Sequence, residues 1–97
     1  MLSTLEIHER RGSDETEFAL QGELDLCSGA ELADRLANAG RAGARIVVDL
    51  TELEFIDSAG MGVLHRAALR AGEERWTLDL TGPRPDVRRV LRLTALA

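Results

Sequence analysis

Residues 45–64 read RIVVDLTELEFIDSAGMGVL, and this stretch decides the fold. Residues 45–50 are a short β-branched run without alternation of apolar and polar positions, which is typical of a strand buried on both faces in a parallel sheet between helices. Residues 51–58 are polar and predict a loop after that strand. Apolar residues then recur at helical spacing over residues 59–71, and Gly72 is the predicted stop. A buried strand, a loop and an amphipathic helix in this order indicate an α/β domain.

Toward the N-terminus, two segments alternate apolar and polar residues and predict a β-hairpin over residues 4–10 and 16–24. A helix is predicted to follow. Ser28 and Glu31 have the S-x-x-E spacing of a capping box, in which each side chain satisfies a backbone N–H of the first turn. Gly40 is the predicted end of this helix, in a left-handed conformation.

Toward the C-terminus, residues 76–80 alternate again and predict a strand. Pro85 fits the first position of a third helix, whose apolar stripe lies within residues 87–91. The predicted order is therefore β-β-α-β-α-β-α, in a single small α/β domain that spans residues 1–97. The hairpin is antiparallel and the later strands are parallel, so the predicted sheet is mixed but mostly parallel, and right-handed crossovers pack the helices against it.

The charge distribution bears on possible partners. The formal net charge is −5, and all 12 basic residues are Arg. Residues 1–60 hold 13 acidic residues against five Arg, whereas residues 61–97 hold four against seven. Nucleic-acid binding needs a basic face that neutralises phosphates, so the acidic first half argues against direct binding to nucleic acid. The Arg residues of the second half fit a solvated helix face better than a local basic patch.

The sequence also bears on the cellular setting. No apolar run approaches the roughly 20 residues that cross a membrane, and residues 1–10 lack the pattern of a secretory signal. We therefore expect no membrane insertion. Cys27 is the single cysteine, which rules out an internal disulfide and a zinc-type ligand cluster. These features together predict a reduced, cytoplasmic setting.

Functional residues are expected where the parallel strands end, because ligands and partners of open α/β sheets meet the loops there. Asp25 follows the second strand and Ser58 follows the third, so both are predicted on the same rim. The Ser58 hydroxyl suits two roles, a cap for the N–H groups of the following helix or an acceptor of phosphate. Gly60 and Gly62 leave the backbone of that helix open to close approach by a partner.

Catalysis is not expected from this sequence. His65 lies seven positions after Ser58 on the same predicted helix, roughly 10 Å along its axis, and cannot serve as the base for that serine. The sequence around Ser58 is not the G-x-S-x-G elbow of hydrolases, and residues 60–62 lack the frame of a phosphate-binding loop. Neither His8 nor His65 has a ligand partner for a metal site. No catalytic residue, metal ligand or cofactor is therefore predicted.

Three segments of the sequence resemble the STAS domain, namely GELD at residues 22–25, VVDLT at 47–51 and FIDSAGMGVL at 55–64. Within that family, the chain looks most like the bacterial anti-sigma factor antagonists. The resemblance runs from about residue 4 to the end of the sequence. The pattern D-S-x-G-x-G-x-L is a fairly specific signature of the family, and more so with GELD at this distance before it.

The resemblance implies a switch protein without catalysis of its own. The unphosphorylated form would bind an anti-sigma factor, a serine kinase of the histidine-kinase-like ATPase fold, and so release a sigma factor to RNA polymerase. Phosphorylation by that kinase would dissociate the complex, and a PP2C-type phosphatase would restore the unmodified form. The resemblance assigns the phosphate-acceptor role to Ser58. It also implies a partner-binding set, namely Asp25, Asp57, Ser58, Ala59, Gly60, Met61 and Gly62.

The sequence departs from the family pattern at three places. Ala59 replaces a second Ser found in many relatives, so Ser58 is the only hydroxyl residue at that point of the motif. Arg84 precedes Pro85 where relatives often place a Ser cap, which is expected to weaken the third helix slightly. Relatives usually continue past residues 93–97 into one more strand and helix, so we expect either a naturally short form or a trimmed chain. Some compact STAS members serve as subunits of lipid-trafficking ABC transporters or of stress-signalling scaffolds, and these roles are the alternative functions.

Overall fold

The computed structural model describes residues 4–93, which form four strands and three helices in the predicted order. Their bounds are β1 (Leu5–Arg11), β2 (Glu15–Leu24), α1 (Leu26–Ala39), β3 (Arg45–Ile56), α2 (Ser58–Glu74), β4 (Thr77–Thr81) and α3 (Pro85–Arg92). The predicted α/β class and the order β-β-α-β-α-β-α are confirmed. Residues 94–97, where the family resemblance predicts a departure, lie outside the described residues.

The four strands form one sheet in the order β1-β2-β3-β4. β1 and β2 pair antiparallel as a hairpin, whereas β2 with β3 and β3 with β4 pair parallel. Because parallel neighbours need a crossover connection, α1 joins β2 to β3 and α2 joins β3 to β4. The prediction of a mixed, mostly parallel sheet is therefore confirmed.

The hydrophobic core lies on one face of this sheet. Phe18, Val48 and Leu80 form one row across β2, β3 and β4. They belong to a single apolar cluster that includes buried residues of all three helices. α1 and α2 also contact each other, so the two crossover helices cover this face together.

The opposite face of the sheet is polar. The adjacent row holds Glu17, Val47 and Asp79, and Glu17 pairs with Arg10 at 2.8 Å. Arg45, on the same face, forms an ion pair with Asp79 at 2.8 Å. Val47 is buried between these neighbours and stands apart from the core cluster. The expectation that β3 lies in a sheet between two layers of helices is therefore wrong, because cross-strand side chains cover its second face.

β3 is longer than predicted. It extends to Ile56, so the loop expected over residues 51–58 is wrong. Two register shifts against β2 each insert an extra residue into β3. Such bulges reset the alternation of side chains, and the buried residues Leu50, Leu53 and Ile56 therefore follow at intervals of three rather than two. This spacing conceals the strand from a search for period-two alternation.

α1 begins earlier than predicted. Asp25 is its N-cap and accepts hydrogen bonds from the backbone N–H groups of Cys27 and Ser28, while the Ser28 hydroxyl accepts one from the Asp25 N–H. The capping box therefore joins Asp25 to Ser28, and the box predicted at Ser28 and Glu31 is wrong. Asp and Ser are both good caps, and the end of β2 at Leu24 decides between them.

Gly40 ends α1 as predicted but not in the predicted left-handed conformation, whereas Gly72 does not end α2. Gly40 follows α1 with an extended backbone (φ −73°, ψ 121°), and a Cβ there would lie 2.5 Å from the Trp76 ring. The close approach of Trp76, rather than a left-handed turn, therefore requires glycine at this position. α2 runs through Gly72 to Glu74, and Arg75 adopts the left-handed conformation with φ 63°.

α3 begins at Pro85 as predicted. Arg84 occupies the N-cap position and makes no side-chain hydrogen bond to the helix. Its guanidinium instead donates to the Thr51 carbonyl at 3.1 Å, which fastens the start of α3 to the middle of β3.

Two glycines of α2 are expected to respond in opposite ways to alanine substitution. Gly72 has open space at its Cβ position, so Gly72→Ala should stabilise the protein by about 0.5–1 kcal/mol through helix propensity. A Cβ on Gly60 would lie 2.5 Å from the Leu24 carbonyl oxygen, so Gly60→Ala should destabilise it by about 1–3 kcal/mol. Urea unfolding of both variants beside wild type measures the difference. Equal stability of the two variants would contradict the close approach of α2 to β2.

Candidate functional site

Two helices start side by side at one edge of the sheet. The parallel register sets Leu24 of β2 opposite Ile56 of β3, and the residue after each is an aspartate that caps the following helix. The Asp57 N–H donates to the Leu24 carbonyl at 3.2 Å and ties the two strand ends together. Asp25 and Ser58, which the sequence placed on one rim, therefore line one groove between α1 and α2.

Asp25 is held by structural hydrogen bonds at this edge. Its carboxylate accepts from the N–H groups of Cys27 and Ser28 at 3.0 Å, from the Ser28 hydroxyl at 3.1 Å and from the Thr4 hydroxyl at 3.2 Å. The hydrogen bond from the Ser28 N–H is the largest cause that keeps the pKa of Asp25 below its usual value. Asp25 therefore contributes a fixed negative charge to the groove at neutral pH.

Ser58 does not cap α2. The Asp57 carboxylate takes that role and accepts from the Gly60 N–H at 2.8 Å, while Ser58 is the first residue of the helix. The Ser58 side chain is exposed, and its hydroxyl makes no hydrogen bond within residues 4–93. The interpretation of Ser58 as the N-cap is therefore wrong. The hydroxyl is open to solvent.

The other residues of the predicted partner-binding set divide between surface and interior. Ala59 and Gly62 are half-buried and line the groove beside Ser58. Gly60 and Met61 are buried, because this side of the first turn faces the end of β2 and the core. The outward side of the first turn of α2 therefore carries only small side chains.

Two grooves flank the start of α2, and Ser58 lines both of them. The α1/α2 groove has a volume of about 380 Å³, and its lining includes Asp25, Leu26, Gly29, Ser58, Gly62 and Arg66. The α2/α3 groove has a volume of about 510 Å³, and its lining includes Ile56, Ser58, Met61, His65, Val90 and Leu93. Leu26 and Leu93 are 78% and 83% exposed. We call the surface formed by Leu26, Ser58, Ala59, Gly62 and Leu93 the α2 patch.

Three of the groove residues were not predicted from the sequence. Leu26 directly follows the cap of α1, and Leu93 directly follows the last turn of α3, so both lie outside the apolar stripe of their helix. A large apolar residue at such a position is the signal that identifies them. Arg66 stands four positions after Gly62, and its role depends on the space that this glycine leaves.

Within residues 4–93, no helix is long and apolar enough to cross a membrane. The same residues contain no group of three His, Cys, Asp or Glu side chains that fits a metal ion.

A family model described as "Mlab, STAS domain" matches residues 7–97. The chain belongs to the STAS domain family. The match includes β2 to α3 in full, so the family predicted from the three sequence segments is confirmed.

Solved structures with the same fold come from regulators and from transporters. An anti-sigma factor antagonist from Mycobacterium paratuberculosis is 23% identical, with a TM-score of 0.75 over 95% of this chain and 79% of that one. The Bacillus cell fate determinant SpoIIAA in its phosphorylated form is 23% identical, with a TM-score of 0.70 over 94% of this chain and 85% of that one. The murine anion transporter Slc26a9 is 12% identical, with a TM-score of 0.72 over 87% of this chain.

Coverage differs among the matched structures. This STAS domain spans only 14% of the Slc26a9 chain and 20% of the chain of another matched structure, Mglu. Because the sequence identities are low, the TM-scores establish a common fold for these domains and no more.

Acid unfolding tests the hydrogen bonds of Asp25 in this STAS domain. Because the folded pKa of Asp25 lies below the ordinary value of 3.8, its stabilising effect is complete above that pH and is lost as the pH falls through the folded pKa. Asp25→Asn keeps an acceptor oxygen for the cap but does not titrate. We therefore expect wild type to lose more stability than Asp25→Asn between about pH 5 and pH 2, as measured by urea unfolding. An identical acid profile of the two proteins would contradict the network around Asp25.

Proposed function

We propose that this STAS domain is an anti-sigma factor antagonist controlled by phosphorylation of Ser58. In this proposal the unphosphorylated form binds an anti-sigma factor, a serine kinase of the histidine-kinase-like ATPase fold, and a sigma factor is released. The kinase phosphorylates Ser58 and the complex separates, after which a PP2C-type phosphatase removes the phosphate. The setting is the bacterial cytoplasm, and the domain itself catalyses no reaction and binds no nucleic acid directly.

The single observation that carries this proposal is the exposed, unbonded hydroxyl of Ser58 between two grooves. A kinase must reach a phosphate acceptor from solvent. The Ser58 hydroxyl is exposed, and no hydrogen bond within the described residues occupies it. The surrounding α2 patch combines small residues with two exposed leucines, which suits close docking of an apolar partner surface. The same residue is therefore accessible to the kinase and central to the surface on which the kinase would rest.

Phosphorylation would change this surface strongly. A phosphoserine adds about −1.5 to −2 charges at neutral pH, beside the carboxylates of Asp25 and Asp57. The positive end of the α2 dipole tolerates an anion at the first helical position, so the fold accepts the modification. A partner docked on the α2 patch would have to desolvate that charge, and its affinity would fall.

The alternative function is a STAS subunit of a lipid-trafficking ABC transporter or of a stress-signalling scaffold. The likeness to the Slc26a9 anion transporter favours a role beside a transport protein. In such a subunit the α2 patch would bind an ATPase constitutively, without regulation by phosphorylation. The two functions differ in their dependence on Ser58, because a constitutive subunit tolerates the loss of its hydroxyl.

A capture experiment separates these functions. Wild type, Ser58→Ala and Ser58→Asp serve as baits in lysate of the native host, and bound proteins are identified by mass spectrometry. We expect wild type and Ser58→Ala to capture a small serine kinase, and Ser58→Asp to lose it because its carboxylate resembles the phosphate. An ABC transporter ATPase captured equally by all three baits would support the alternative and contradict the phosphorylation switch.

A pair of variants on one helix tests the α2 patch itself. Gly62→Arg places a long cation on the patch, and the Cβ meets only the flexible end of Arg66, so the fold should be retained. Gly72→Arg adds the same side chain to the same helix at an open position away from the patch. We expect Gly62→Arg to weaken kinase capture by about tenfold or more and Gly72→Arg to leave it unchanged. Loss of helical circular dichroism in Gly62→Arg, or equal binding by both variants, would contradict this assignment.

A further inference from the structure

The guanidinium of Arg66 lies over Gly62. A Cβ placed on Gly62 would be 3.0 Å from Nη1 of Arg66 and 3.6 Å from Cζ and Nη2. The side chain of Arg66 has therefore turned back by one helical turn toward the start of α2, the direction in which helical side chains point. Any side chain at position 62 would occupy the space that the guanidinium fills.

Arg66 has no anionic partner in the described part of the chain. Arg70, one turn later on the same helix, pairs with Glu74 at 3.0 Å, and Arg35 on the facing helix pairs with Glu9 at 3.4 Å. Arg66 forms no ion pair or hydrogen bond within residues 4–93, although it lines the same α1/α2 groove as Asp25 and Ser58. An unpaired guanidinium thus stands one turn beyond the proposed phosphate acceptor.

We propose that Arg66 binds the phosphoryl group of phosphorylated Ser58 across the bare backbone of Gly62. Ser58, Gly62 and Arg66 are spaced four residues apart and share one face of α2. Ser58 and Gly62 are separated by about 6 Å along the helix axis, a gap that a phosphate ester and an arginine directed toward each other can close. This inference rests on the proposed modification of Ser58.

The charged groups around Ser58 favour this direction for the phosphate. Asp57 precedes Ser58 and Asp25 faces it from α1, so both carboxylates repel the phosphate from the strand ends. His65 lines the α2/α3 groove together with Ser58 and Gly62, so it is a second basic side chain near the phosphate acceptor. Arg66 is the cation of the α1/α2 groove, and a planar guanidinium binds phosphate oxygens with two parallel hydrogen bonds.

The contact has a consequence for the switch. A phosphate bound to Arg66 would fix the guanidinium over Gly62, so that the centre of the α2 patch stays covered. Phosphorylation would therefore remove the docking surface as well as add charge to it. In the unmodified protein the guanidinium has no such partner and can move aside for a docked protein.

A phosphorus NMR titration tests the contact without any kinase. Phosphoserine is incorporated at position 58 by genetic encoding, and the second pKa of the phosphate is measured in wild type, Arg66→Gln and Arg70→Gln. A bound guanidinium favours the dianion and so lowers the second pKa of the phosphate. We therefore expect Arg66→Gln to raise this pKa by about half a unit above the wild-type value, and Arg66→Lys to give a value between the two. Arg70→Gln removes the same charge one turn away and should leave the pKa unchanged, while Asp25, Asp57 and His65 remain present in every variant.

Two results would overturn the contact. One is an equal phosphate pKa in wild type and Arg66→Gln, and the other is an equal shift in Arg66→Gln and Arg70→Gln, which would indicate a general field. Circular dichroism of the unmodified variants checks that both remain folded. Because phosphoserine is incorporated during translation, this titration is independent of the kinase. A kinase that ignores Ser58 would refute the proposed function and leave the result of this titration standing.

Discussion

The parallel register that sets Leu24 beside Ile56 controls the arrangement of the functional end of the molecule. Because β2 and β3 finish at the same level, the two aspartates that follow them cap α1 and α2 side by side. The first turn of α2 then passes so close to the Leu24 carbonyl that only glycine fits at position 60. The α1/α2 groove and the exposed position of Ser58 at the start of α2 follow from this pairing of strand ends.

The order of the elements was predictable from the sequence because it depends on local patterns. The hairpin alternates with period two, and Pro85 marks the start of α3. The course of β3 beyond Leu50 was not predictable in this way, since two bulges change the spacing of its buried residues. The helix starts were misassigned for a related reason. Ser28 and Ser58 are good caps in isolation, but aspartates at the strand ends take the role first.

The candidate site was predictable in part. The rim that joins Asp25 to Ser58 follows from the rule that parallel strands end together, and the family motif adds the neighbours of Ser58. The burial of Gly60 and Met61 was not predictable, because it depends on how closely α2 approaches the end of β2. The orientation of Arg66 was not predictable either, since it follows from the space above Gly62 and from the absence of an acidic partner within the described residues.

In the proposed switch, the residue that caps α2 and the residue that is phosphorylated are different. A serine that caps its helix would lose a structural hydrogen bond on phosphorylation, and the helix start would weaken. Here Asp57 performs the capping, so Ser58 can change its charge without loss of the cap. Structural duty and regulatory duty are thus assigned to neighbouring residues, and the surface changes while the core remains intact.

Phosphate mapping on the chain purified from its native host tests the role of Ser58 most directly. The protein would be isolated during growth and after stress, and its phosphorylated residues identified by tandem mass spectrometry. The predicted result is phosphate on Ser58, in an amount that changes between the two conditions. Phosphate confined to another residue, or no phosphate on Ser58 in either condition, would contradict the proposed switch.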